Sequence, residues 1–135
     1  MSEEIFDVIR KKYVALTPEE KVRQHIISIL IKDKNIPLSL IAVEAQIKVG
    51  KLIKRFDILV YDRQLNPWMI IECKKEDISL SPEILNQAIR YNQTINAPYL
   101  LITNGKDFFC FKQDNLTYQL KPQEEFPVFP SKTSK

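Results

Sequence analysis

The stretch Arg55–Lys75, RFDILVYDRQLNPWMIIECKK, decides how the rest of the chain is read. Asp57-Ile58-Leu59-Val60-Tyr61 is β-branched and aromatic, Asn66-Pro67 marks a turn, and Trp68-Met69-Ile70-Ile71 runs into Glu72-Cys73-Lys74. The pattern predicts two strands joined by a turn. Alternate side chains of a strand share a face, which puts Glu72 and Lys74 together and Cys73 opposite. A carboxylate and an ammonium at the end of an apolar strand are costly unless paired. Asp57, on the neighbouring strand, is the third member of the pattern Asp…Glu-x-Lys.

That trio suits hydrolysis of a phosphodiester. Mg²⁺ takes one or two protein carboxylates, keeps several waters and accepts phosphate oxygens. Asp57 and Glu72 are the candidate ligands, with the Cys73 carbonyl as a backbone ligand. Such an ion acidifies a bound water and neutralises phosphate charge. Lys74 then orients the water, stabilises the pentavalent phosphate or acts as a base, the last only if desolvation and a nearby cation make the amine less basic. The competing reading is a structural ion pair between Lys74 and a carboxylate, with Glu72 at a solvated strand end.

Composition sets the outer limits. A chain of 135 residues fits one domain with a real core. The net charge of +3 is compatible with nucleic acid without requiring it. No apolar run approaches a membrane span and no amino-terminal signal pattern is present, so a cytoplasmic location is expected. Cys73 and Cys110 are the only cysteines and His25 the only histidine. That is too few for a Cys/His zinc site and leaves no histidine-based acid–base mechanism. Both cysteines read as small buried hydrophobes in a reducing compartment. His25 sits on a predicted helix, as packing or surface.

In chain order, residues 1–16 form an extension whose IFDVIRKKYVAL reads as a short helix or a strand on the domain edge. Thr17-Pro18-Glu19-Glu20 opens a helix running to about Lys32, with Val22, Ile26, Ile29 and Leu30 as its buried stripe. Arg23 and Lys32 read as solvated charges. Ser39–Glu44 is a short helix or an extended segment. Ala45–Val49 and Leu52–Tyr61 are strands joined by Gly50-Lys51, a hairpin that delivers Asp57 to the sheet. Glu44 is a further acid for the metal pocket, a surface residue, or a partner for Lys48. A second helix, Leu80–Ala97, starts with Ser81-Pro82-Glu83. Its Gln87 and Tyr91 stand four apart on one face, completing a site or serving as a satisfied amide and a core-edge aromatic. Tyr99–Thr103 and Phe108–Lys112 are strands around an Asn104-Gly105 turn. Residues 17–120 thus read as the domain, and 121–135, with Pro122, Pro127 and Pro130, as a trailing Pro-rich tail.

Asp57, Glu72-Cys73-Lys74 and Gln87-x-x-x-Tyr91, in this order, resemble the PD-(D/E)XK nuclease superfamily. More narrowly, they resemble the nuclease domain at the amino terminus of type I restriction enzyme R subunits, over about Thr17 to Lys112. The resemblance implies an α/β (α+β) fold with a central mixed sheet of about four to five strands flanked by helices. It implies Mg²⁺-dependent endonucleolytic DNA cleavage, with Mn²⁺ as a substitute, in restriction, defence or repair. Asp57 and Glu72 would hold the metal, Lys74 the attacking water, and Gln87 and Tyr91 the substrate; an upstream helix acid falls on Glu44. Phe56 stands where many members have proline. Lys48, Lys51, Lys54, Arg55, Lys75 and Arg90 are the candidate phosphate contacts. R subunits carry helicase motors and nothing here resembles one, so the expected partners besides DNA are a motor or specificity subunit on another chain, and a second copy of this chain. The alternative is a non-catalytic module on the same fold that holds nucleic acid or a protein.

Overall fold

The computed structural model describes residues 3–130. The elements in order are β1 (Glu4–Asp7), β2 (Lys12–Ala15), α1 (Pro18–Lys32), a 3₁₀ turn at Leu38–Leu40, β3 (Ile41–Val49), β4 (Leu52–Tyr61), β5 (Pro67–Cys73), α2 (Pro82–Asn92), β6 (Tyr99–Thr103), β7 (Phe108–Gln113) and β8 (Leu120–Gln123). Strands β3 to β8 form one sheet in sequence order. Every neighbouring pair is antiparallel except β5–β6, which is parallel and bridged by α2. A parallel pair needs a long crossover, and the helix supplies it.

Strand β5 is buried on both faces from Trp68 to Ile71, as its unbroken apolar run requires. Met69 and Ile71 pack with Ile58 and Val60 against Ile26 and Leu30 of α1. Ile70, between them, packs with Leu59, Leu100 and Ile102 against Ala88 of α2. The sheet is therefore sandwiched between the two helices, and each fully buried aliphatic side chain contributes about 1.5–3 kcal/mol. Helix α1 covers the expected residues, and the Thr17 hydroxyl accepts the Glu20 N–H at 3.1 Å. Helix α2 stops at Asn92, five residues before the expected Ala97. The Asn92 side chain donates to the Ala88 carbonyl and its own carbonyl receives Ile95 N–H, which turns the chain out of the helix.

Two expectations are corrected. The sheet has six strands rather than four to five, because β8 arises inside the segment expected to trail. Pro122 opposes Phe111 there, tolerated because β8 is an edge strand. Beyond it, Phe129 is buried with its ring 5.0 Å from that of Trp68. Phe129→Ala is expected to cost about 3 kcal/mol in urea unfolding and to open the segment around it to proteolysis. Of the two readings of the extension, strand holds and helix does not: β1 and β2 form a separate hairpin. No helix among the described residues is long and apolar enough to cross a membrane.

Candidate active site

An open cleft of about 1010 Å³ lies where β5 ends beside the middle of β4, between the two helices. Asp57, Glu72, Cys73, Lys74, Gln87 and Tyr91 all line it, as do Glu44, Arg55 and Lys75. The β4–β5 register pairs Ile58 with Ile71, so Asp57 comes level with Glu72 one step further out. Asp57 Oδ2 accepts the Cys73 N–H at 2.7 Å. Lys74 N–H extends the β5–β6 ladder to the Thr103 carbonyl at 2.8 Å, and its Nζ stands 3.5 Å from Glu72 Oε2. Both side chains keep partial access to water.

Sequence reasoning missed the cation beneath this group. Arg23, expected to be solvated, is buried and its guanidinium spans three acids. It lies 3.1 Å from Glu20, 3.2 Å from Glu44 and 3.3 Å from Asp57 Oδ1. The signal was its position: Arg23 shares the helical stripe of Ile26, Ile27 and Leu30, where a solvated charge has no place. Glu44 does not sit on a helix either; it is a β3 residue, opposite Asp57 in a continuous register. Its backbone is left-handed (φ +53°), a conformation that costs a residue with a Cβ about 1–2 kcal/mol. Its partners are Arg23 and Arg10 rather than Lys48. The acid that does come from a helix is Glu20, buried and bonded by Arg10 at 2.8 Å and by Gln24 at 3.0 Å.

The hairpin β1–β2 closes the network from outside. Asp7 is fully buried and accepts the N–H groups of Ile9 and Arg10, the Arg10 guanidinium and the Gln24 amide. Burial pushes its carboxyl up, but those hydrogen bonds outweigh burial and hold it below the usual carboxylate range. In Cys73, burial first and the Asp57 charge second push the thiol far up; burial takes Cys110 up to about 11. Both thiols are buried and protonated, as small hydrophobes are.

The remaining candidates divide. Tyr91 ties α2 to β4: its hydroxyl accepts the Arg55 N–H at 3.1 Å and donates to the Arg55 carbonyl at 3.3 Å. Lys54 donates to the Tyr91 carbonyl and sits 4.5 Å over its ring, so it is engaged within the fold. Gln87 is exposed on the cleft wall. Lys48, Lys51 and Arg90 are exposed outside the cleft lining, and His25 is exposed on α1.

Asp7, Glu20, Glu44, Asp57 and Glu72 face Arg10, Arg23 and Lys74, and the cleft lining sets Glu19, Glu44, Asp57 and Glu72 against Arg23, Arg55, Lys74 and Lys75. Among the described residues no group of three His, Cys, Asp or Glu side chains is spaced to enclose an ion. A hard divalent cation needs only one or two carboxylates, and each oxygen of Asp57 has one partner and retains a second lone pair. Asp57, Glu72 and the Cys73 carbonyl, an all-oxygen donor set lining the cleft, fit Mg²⁺ or Mn²⁺ chemically.

A mixed sheet between two helices, with an acid pair and a lysine where β5 ends beside mid-β4, defines a restriction-endonuclease-like α+β domain. The type IIG restriction endonuclease BpuSI has a similar fold, with a TM-score of 0.54 at 19% identity over 82% of this chain and 13% of that one. This chain belongs to the family described as Type I restriction enzyme R protein N terminus (HSDR_N), which matches residues 18–127. No curated protein matches it in sequence.

Proposed function

We propose that the chain is a metal-dependent deoxyribonuclease that hydrolyses DNA phosphodiester bonds with Mg²⁺, Mn²⁺ serving as a substitute. The observation that carries this reading is that Asp57, Glu72, Lys74, Gln87 and Tyr91 line one open cleft. Membership of a restriction-enzyme family supports it. Asp57, Glu72 and the Cys73 carbonyl would hold the ion. A bound Mg²⁺ supplies Lewis acidity to a phosphate oxygen and makes water more acidic. Lys74, set beside Glu72, hydrogen-bonds the attacking water and the developing negative charge on the phosphate. The water oxygen bonds to phosphorus, the bond to the leaving sugar oxygen breaks, and that oxygen leaves as a hydroxyl. Gln87 orients the phosphate, and Tyr91 keeps the cleft wall fixed.

A second reading has one observation in its favour. Both oxygens of Asp57 already have partners, Cys73 N–H and Arg23, which suits a module that holds DNA or a protein without turnover. One assay separates the two. Plasmid and single-stranded DNA are incubated with Mg²⁺, with Mn²⁺ or with EDTA, beside Glu72→Ala. The nuclease reading expects cutting that needs the divalent ion and disappears in the variant; DNA retained but never cut supports the module. In either case a motor or specificity subunit on another chain is the proposed protein partner. A strict monomer in gel filtration removes the homodimer.

A further inference from the structure

The hairpin of β3 and β4 extends beyond the sheet. Strand β4 pairs with β5 only from Ile58 to Tyr61, whereas Leu52–Phe56 pair with β3 alone. Five residue pairs, from Ala45↔Phe56 to Val49↔Leu52, thus form a two-stranded ribbon roughly 17 Å long. Gly50, at φ +62°, takes the first position of the tight turn, where a hairpin favours glycine.

Register sorts the two faces of this ribbon. Ala45, Ile47, Val49 and Phe56 pack toward Leu85 and Ile89 of α2, and Lys54 on that face is held by Tyr91. The other face carries Gln46 beside Arg55 and Lys48 beside Ile53, with Lys51 at the tip. Lys48, Lys51 and Arg55 are exposed. None of the three meets a carboxylate among the described residues. Between Glu44 and Asp57 the sequence has four cations and no acid, against a net charge of +3 for the whole chain. Gln46 and Arg55 also line the cleft beside Asp57, so the row of cations starts at the candidate site and runs outward. Ile53, 64% exposed, breaks the row with an aliphatic group.

We propose that this hairpin is a DNA-gripping arm, a β-ribbon that enters the major groove of a duplex whose backbone continues into the cleft. A two-stranded ribbon fits that groove. Arg55, Lys48 and Lys51 contact phosphates and fix the register. Gln46 presents an amide that matches an adenine edge, and Ile53 packs on a thymine methyl. The arm makes double-stranded DNA the preferred ligand. It rests on the nuclease reading only for what happens in the cleft.

The test titrates salt against binding of the full chain to a duplex of about 30 base pairs and to one of its single strands, in EDTA. Replacing Lys48, Lys51 and Arg55 together by Gln is expected to weaken duplex binding about tenfold or more at about 0.1 M salt and to flatten the salt slope by about two to three. The melting temperature stays put, because all three side chains are exposed. Replacing Lys12, Lys32 and Lys112, exposed elsewhere, removes the same charge and leaves the slope unchanged. An arm variant with the wild-type slope overturns the proposal and leaves the hairpin to a protein partner. Equal losses on duplex and single strand, or a wild-type chain that binds no duplex, overturn it too. DNA held by the arm in EDTA but never cut once Mg²⁺ or Mn²⁺ is supplied removes the nuclease reading alone. Cutting with arm-independent binding removes the arm alone.

Discussion

Changing Lys74 to methionine is expected to slow DNA cleavage by about 10²- to 10⁴-fold, the usual loss when one positioned proton-transfer or charge-stabilising group is removed. The fold should scarcely notice. The Lys74–Glu72 pair is 39% and 24% exposed on its two sides, and pairs of that kind contribute about 1 kcal/mol or less. DNA affinity should fall only by the share of one cation. Lys74→Arg separates charge from chemistry: it keeps the positive charge but replaces a compact ammonium by a planar fork, so it should restore affinity and little of the rate. Wild-type cleavage in Lys74→Met would return the pair to a purely structural role.

The second large effect is on stability. Arg23→Met removes the cation shared by Glu20, Glu44 and Asp57; Glu20 and Glu44 keep Arg10, and partly buried Asp57 is left without a cation. Breaking a buried pair from one side typically costs about 3–5 kcal/mol, a large part of a small domain's total. Urea unfolding measures it directly. The Arg23 Nε has no partner of its own, which places the expected loss toward the lower end. Adding Asp57→Asn should recover part of the loss, since removing both members of a pair costs less than orphaning one. A loss below about 1 kcal/mol is what a solvated arginine gives, and would show that the network has no grip on the fold.

What was legible in the sequence was local. Both helix starts carry a cap, a proline and an acid within a few residues, so Thr17 and Ser81 were readable without any tertiary knowledge. The strands bearing Asp57 and Glu72 were readable because β-branched runs between turn residues have few other solutions. Spacing put Glu72 with Lys74 and Gln87 with Tyr91 on shared faces, and the family resemblance joined them with Asp57 into one candidate site; all five line one cleft. What was hidden depends on distant partners. Nothing in Leu120–Gln123 alternates, and only pairing with β7 makes it a strand. Arg23 lies on the buried stripe of α1, but its partners Glu44 and Asp57 come from β3 and β4 and are not readable from the helix. Asp7 has no local reason to be buried apart from its own turn; Gln24 of α1 completes it. The resemblance put a helix acid at Glu44, whereas Glu44 lies in β3 with a left-handed backbone.

The family match starts at residue 18, while Asp7 and Arg10 reach across to Glu20, Gln24 and Glu44 from the hairpin before it. A clone trimmed to the family boundary would cut through this ionic seam. It would strip Glu20 and Gln24 of their outer partners and open a polar gap along α1. The smallest autonomous unit is therefore expected to be longer than the family match, and the hairpin should travel with the domain whenever it is fused to another protein.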